Sequence, residues 1–309
     1  MMFAQIPIKP AILALYIILF SFSAVFSQEV LEPLKLHKAY FIKGLDNAQL
    51  SGLTVYDGSL YTISDKHDEW IYRIDFTDDI AVLKKYRRTG ISAFSNLKRH
   101  DFEGITHDAI GNFYLVSETE CRIRIVPPHG QQSGWIGPKF KQWGVQAGLF
   151  QVPNAYLEGI CCISPEKFVL CAERQPRGFL EVDLSRKPVV VNAYPAEQSK
   201  YRFEEGRSMD FSGLFKWGSA IYVLERNAYV VSRLEKNRDR FVESRGWSYR
   251  QIETSRKFRY SDMRYGKAEG LCVDEAYVYI ILDNNDVPLA ADHSNRRPLL
   301  LIFEKPLDF

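Results

Sequence analysis

A β-propeller of five four-stranded blades is the fold this chain predicts. Three observations predict it: a short glycine-centred motif that recurs five times, a strand-turn-strand pattern after each recurrence, and an acid closing every second strand. Composition agrees. The 309 residues are 46% hydrophobic and 25% charged, which excludes disorder, collagen and coiled coil. Seventeen Tyr and 20 Phe beside 19 Gly and 14 Pro suit many short strands, because aromatic rings pack on a pleated surface and Gly and Pro punctuate it. Forty Lys plus Arg against 38 Asp plus Glu leave a net charge of +2, too near neutral for a polyanion binder, so nucleic acid is not an expected partner.

The recurring motifs are Leu50-Ser51-Gly52-Leu53, Phe102-Glu103-Gly104-Ile105, Leu157-Glu158-Gly159-Ile160, Phe211-Ser212-Gly213-Leu214 and Ala268-Glu269-Gly270-Leu271. Their glycines lie 52, 55, 54 and 57 residues apart. Each motif opens a first strand and is followed by a second one, at 60–64, 113–117, 168–172, 221–224 and 277–282. The second strands end in Asp65, Glu118, Glu173, Glu225 and Asp283, which lie 13, 14, 14, 12 and 13 residues beyond their glycines. Third strands follow at 70–75, 122–126, 178–183, 229–234 and 299–303, and fourth strands are readable at 80–86 and 189–194.

The last repeat has room for only three strands before the chain ends. Residues 38–43 are strand-like and precede the first repeat, so pairing them with 299–304 closes the ring. A sixth blade, the minor option, would have to hide in the long connections 127–156 and 236–267; the first of these, with Trp135 and Trp143, is expected to cap one face. Residues 1–27 read as a secretory leader: Lys9 precedes an apolar run from Ala11 to Phe26, with small residues before Gln28. The alternative, a retained anchor, is left open, although the run is shorter than the roughly 20 residues that cross a bilayer. The expectation is a secreted or periplasmic monomer with one propeller domain over 28–309 and no membrane span once the leader is removed.

In a propeller the start of the first strand and the end of the second share one face. Ser51, Glu103, Glu158, Ser212 and Glu269 therefore form an inner ring, and Asp65, Glu118, Glu173, Glu225 and Asp283 a ring just outside it. Eight carboxylates converge on one mouth, and like charges at that density need cations. Two solutions remain open: a hard cation, calcium, held by Glu103, Glu158 and Glu269, or internal pairing with Lys66, Arg174 and Arg226, which directly follow outer-ring acids. His67 and the oxygen-rich Asn284, Asn285 and Asp286 stand beside the rings as further ligand contacts.

Phe102-Glu103-Gly104-Ile105 with the strand ending in Glu118, Leu157-Glu158-Gly159-Ile160 with Glu173-Arg174, and Ala268-Glu269-Gly270-Leu271 with Asp283-Asn284-Asn285 resemble the esterase-like, phytase-like propeller family and the related SdiA-regulated proteins. The resemblance implies a secreted or periplasmic propeller with calcium binding. It carries over no catalytic residue, and the lysine and acidic clusters of the well-defined propeller phytases are not matched.

No Gly-x-Ser-x-Gly, His-Glu-x-x-His or phosphate-cradling glycine loop is present. Cys161, Cys162, Cys171 and Cys272 lie in apolar runs and are expected to be buried; a bridge between Cys161 and Cys171 stays open. His107 is expected to pack in its strand, and Lys84, Lys85, Arg87 and Arg88, like Lys236 to Arg240, to form solvated outer edges. Two function classes follow: a calcium-dependent hydrolase of phosphoesters or esters working at the channel mouth, or a non-catalytic propeller that binds a small-molecule, phosphorylated or protein ligand there.

Overall fold

The computed structural model describes residues 31–91, 99–128 and 131–309. The proposed leader, residues 1–27, lies outside them. A two-residue strand, β1 (Glu32–Pro33), and β2 (Leu36–Lys43) precede the repeats. The five blades are β3 (Leu50–Tyr56) to β6 (Ala81–Arg88); β7 (Phe102–His107) to β10 (Gly134–Ile136); β11 (Leu157–Ser164) to β14 (Val190–Pro195); β15 (Phe211–Trp217) to β18 (Arg240–Ser248); and β19 (Ala268–Val273), β20 (Tyr277–Leu282), β21 (Leu299–Glu304) with β2. Within each blade the strands run antiparallel in simple succession from the channel outward. Alternating apolar positions bury both faces of the inner strands between neighbouring blades.

β2 is the device that closes the ring. It pairs antiparallel with β21, Lys38 opposite Ile302 and Tyr40 opposite Leu300, and its end runs briefly parallel to β6, Ile42 opposite Ala81. The expected pairing of 38–43 with 299–304 is therefore present, and last and first blades become one sheet of eight strands. Among the described residues the long connections hold no sixth blade. The first supplies β10 as the outer strand of the second blade, then a short helix α1 (Lys141–Gln146); the second supplies β18 and α2 (Arg250–Glu253). Phe140, Leu149 and Phe150 fill the wedge between second and third blades, and Tyr249, Phe258 and Tyr260 that beside the fifth.

At the axis the inner strands touch through their glycines. A Cβ on Gly104 would stand 2.9 Å from the Gly159 Cα, and one on Gly270 2.6 Å from the Gly52 carbonyl carbon. Glycine is required because backbone meets backbone there, and Gly52 also needs its left-handed φ of +65°. The axis is nearly sealed at this level, with only about 10 Å³ of free space.

Elsewhere several sequence expectations are refined. Cys161 faces Val169 and Cys171 faces Gly159 across the β11–β12 (Lys167–Ala172) ladder, and all five thiols are free; Cys161, Cys171 and Cys272 are fully buried, whereas Cys162 is half-buried. Arg87 is not a solvated edge residue. Its guanidinium is buried and donates to the carbonyls of Gly111 and Val126, tying the first blade to the second. His107 packs as expected, bonded to Thr54 at 3.0 Å and against the rings of Tyr56 and Phe113, and burial lowers its pKa.

Candidate functional site

The inner ring is built by a repeated bulge. In β7, Phe102 pairs with Ser117 and Gly104 with Val116, so Glu103 is skipped by the ladder; Glu158, Ser212 and Glu269 are skipped in the same way. A bulge frees the extra residue from the pleat and re-aims its side chain, here into the mouth of the channel. In β3 the skipped residue is Gly52 itself. Ser212 turns its hydroxyl on the Ala268 carbonyl at 2.6 Å, whereas the three glutamates line the mouth.

The outer ring is built by one backbone bond per blade. The amides of Asp65, Glu118, Glu173 and Asp283 donate to the carbonyls of Gln49, Asp101, Tyr156 and Lys267, each three residues before its blade's glycine, at 2.7–3.3 Å. In the fourth blade the residue making this bond is Arg226, to Asp210 at 3.2 Å. Glu225 sits one place earlier, opposite Phe211, where the other blades have Ser64, Ser117, Ala172 and Leu282. The fourth member of the outer ring is thus an arginine. Glu225 is fully buried and does not line the mouth: its carboxylate accepts the Asp210 amide and the guanidinium of Arg177 at 2.6 Å, and burial holds its pKa well above the usual range.

The result is a cavity of about 380 Å³ lined by nine carboxylates and three cations. Asp65, Glu103, Glu118, Glu158, Glu173, Glu269 and Asp283 were expected there; Asp101 and Asp210 were not. Its two sides neutralise charge differently. On one, Arg226 reaches Glu173 at 2.5 Å, Asp210 at 3.1 Å and Glu269, while Arg174 also pairs with Glu173. On the other, Asp65, Asp101 and Glu103 bring carboxylate oxygens within 4.8 Å of one another, with Lys66 paired to Asp65. A second such group, Glu118, Glu158 and Glu173, lies between these regions.

These carboxylates resist ionisation. Burial, then the charges of Asp101 and Asp65, hold Glu103 well above the ordinary carboxylate range; burial and the Glu103 charge do the same to Glu158. Burial raises Glu269 to about 8 even against Arg226, and Asp283 to about 7. Asp65 and Glu118 are also raised by burial. Burial works against charge on Arg226 as well, yet Asp210, Glu269 and Glu158 hold it firmly protonated. Asp65 Oδ1, Glu173 Oε2 and Asp210 Oδ1 are buried with no hydrogen-bond partner.

Three other expected contacts stand outside the lining, among them Asp286, which pairs with Arg296 at 3.5 Å. Asn284 is buried with its amide donating to the Val287 and Arg296 carbonyls, so it braces a turn, and its neighbour Asn285 lines the mouth instead. His67 bonds through Nε2 to the Asp46 carbonyl at 3.1 Å. Besides Asp101 and Asp210, sequence reasoning missed Asn154 and Tyr265, which the two long connections bring to the rim.

Comparison with solved structures shows the same architecture. Glutaminyl cyclase from Myxococcus xanthus superposes with a TM-score of 0.50 at 12% identity, over 89% of this chain and all of that one. The fold is a β-propeller. Virginiamycin B lyase from Staphylococcus aureus (TM-score 0.42, 12% identity, 84% of this chain and 68% of that one) and a putative gluconolactonase (0.45, 13%, 90% and 84%) are more distant matches. No family model and no curated protein matches the sequence. Among the described residues no helix is long and apolar enough to cross a membrane.

Proposed function

We propose that the mouth holds a hard divalent cation of the calcium class and works as a cation-dependent hydrolytic site for an ester or phosphoester. The observation that carries this reading is the pair of carboxylate triads, Asp65/Asp101/Glu103 and Glu118/Glu158/Glu173, together with the buried, partnerless oxygens of Asp65 and Glu173. All donors are hard carboxylate oxygens, the set calcium takes. Buried carboxylates without cations are costly or titrate to neutral. The holding residues in this reading are Glu103 and Glu158 with their triad partners. Glu269, the third ligand suggested by the motif, is engaged by Arg226 and lies in neither triad, whereas Glu173, bound by Arg226 and Arg174 through Oε1, keeps its buried Oε2 unpartnered.

A bound cation of this kind supplies Lewis acidity toward a carbonyl or phosphoryl oxygen. The chain supplies the rest. Arg226 and Arg174 fix the Glu173 carboxylate from two sides. The leader-like residues 1–27 and the motifs resembling the esterase-like, phytase-like family support an exported protein with this chemistry. The test is hydrolysis of phosphomonoester, phosphodiester and carboxylic ester substrates by the mature protein, with calcium and with chelator. Calcium-dependent turnover of one class, lost in Glu158→Gln, is expected; ligand binding without turnover of any class would establish the non-catalytic propeller instead.

A further inference from the structure

We propose that the ligand of this mouth is a compact polyhydroxylated ring of the sugar or cyclitol class, whose hydroxyls are bound by Asp210 and by the amides of Asn154 and Asn285; the inference deepens the reading above and rests on it for the site. The orphan oxygens of Asp65 and Glu173 fall to the cation, but two buried, partnerless atoms of the lining belong to neither triad: Asp210 Oδ1 and Arg226 Nε. Asp210 is 1% exposed, and its other oxygen is already held by Arg226 at 3.1 Å and by the Asn227 amide at 3.3 Å. The carboxylate therefore cannot turn to satisfy Oδ1 without giving up Oδ2. A buried acceptor beside a buried donor calls for a group that does both. A hydroxyl donates and accepts, and it serves Asp210 whether that carboxyl is ionised or protonated. An ammonium only donates, and an ester carbonyl or a phosphate dianion only accepts.

The rim repeats the preference. Asn154 and Asn285 are exposed, line the cavity and come from two separate connections, and among the described residues neither side-chain amide has a hydrogen-bond partner. Their backbones are held: the Asn154 carbonyl accepts from Arg174 at 3.4 Å, and the Asn285 amide donates to Asp283 at 3.0 Å. Each therefore presents, from a tied position, a planar group that gives and takes hydrogen bonds, which limits the order lost on binding. Size narrows the class further. About 380 Å³ stands near the lower end of the roughly 300–1,000 Å³ spanned by small-molecule sites, which suits one ring and not a chain of them. Calcium takes neutral oxygens as well as carboxylates, so ion and ring can share the mouth.

Titration calorimetry of the mature protein, with calcium and with chelator, tests this with methyl glucoside, methyl galactoside and myo-inositol, and with tetrahydropyran as a ring that lacks hydroxyls. At least one of the three polyols is expected to bind and tetrahydropyran is not. Asn154→Ala and Asn285→Ala, at exposed positions, should each raise the polyol Kd about threefold to tenfold, and Asp210→Asn about tenfold or more. Should Asp210→Asn fail to fold, the two rim variants still decide. Failure of all three polyols to bind, equal binding of tetrahydropyran, or a Kd indifferent to both rim variants would overturn the proposal. Polyol binding that depends on these residues, without turnover of any ester or phosphoester, supports the ring and sinks the hydrolytic reading. Turnover of methyl acetate or phenyl phosphate by a protein that binds none of the polyols does the reverse.

Discussion

The two sides of the channel mouth are made from the same repeat and reach opposite solutions to the same electrostatic problem. Around the fourth blade an internal guanidinium, Arg226, gathers Glu173, Asp210 and Glu269. Around the first and second blades Asp65, Asp101 and Glu103 crowd together, with Lys66 paired to Asp65 and the Arg99 charge nearby. The difference comes from a single position, the residue whose amide closes each blade's second turn. Four blades place an acid there and one places an arginine. One side is neutralised from within the chain; the other is left to protons or to an external cation.

The largest expected effect breaks the self-sufficient side. Arg226→Met leaves three buried carboxylates without their shared partner and should cost about 3–5 kcal/mol in chemical denaturation with chelator present. The matching change on the other side, Lys66→Met, should cost less than about 1 kcal/mol, because that ammonium is partly exposed. Equal losses from the two variants would erase the contrast.

A smaller effect separates the glutamates of the inner ring. At pH 9, where Glu269 is ionised, Glu269→Gln removes a charged partner of Arg226 and should destabilise the calcium-free protein by about 1.5–3 kcal/mol. Glu103→Gln removes repulsion from Asp65 and Asp101 and should leave stability unchanged or slightly higher in the same urea titration. If Glu103→Gln is the more damaging of the two, the acid-rich side is paired in a way the structure does not contain.

The same carboxylates set a pH dependence. Glu103, Glu158, Glu269 and Asp283 bind protons more tightly folded than unfolded, so their contribution is fully present below the unfolded carboxylate range. It is lost as pH rises through the folded values of about 7 for Asp283 and about 8 for Glu269. Without calcium the melting temperature should therefore fall between pH 5 and pH 9, and saturating calcium, which binds the ionised carboxylates, should flatten that fall. A calcium-free melting temperature that rises across this interval would contradict the assignment.

Much of this was legible in the residues. The glycine motifs gave blade number and strand order because backbone contact at the axis admits little else, and Lys38 to Lys43 could only complete the last blade. The identity of the fourth outer-ring member was not. Glu225 looked like its neighbours' acids, and the sole signal was its distance of 12 residues from Gly213, where Arg226 lies at 13. Asp101 and Asp210 share the place three residues before the glycine, just outside the four-residue motif, and each enters the mouth through the turn that opens its blade. The bulge that aims Glu103, Glu158 and Glu269 has no composition of its own. Nor does β10, three residues inside a long connection, announce itself by alternation.

Calcium titration of the chelator-stripped mature protein, followed by thermal melting, tests the central claim most directly. A cation held by the folded mouth should stabilise it by about 2.7 kcal/mol at a hundredfold excess over its Kd, a rise of about 5 °C for a domain of this size. Glu103→Gln and Glu158→Gln should each lose most of that rise, while Glu269→Gln should keep it. A melting temperature indifferent to calcium in the unmutated protein would contradict the account and leave the arginine-centred pairing as the mouth's whole electrostatic design.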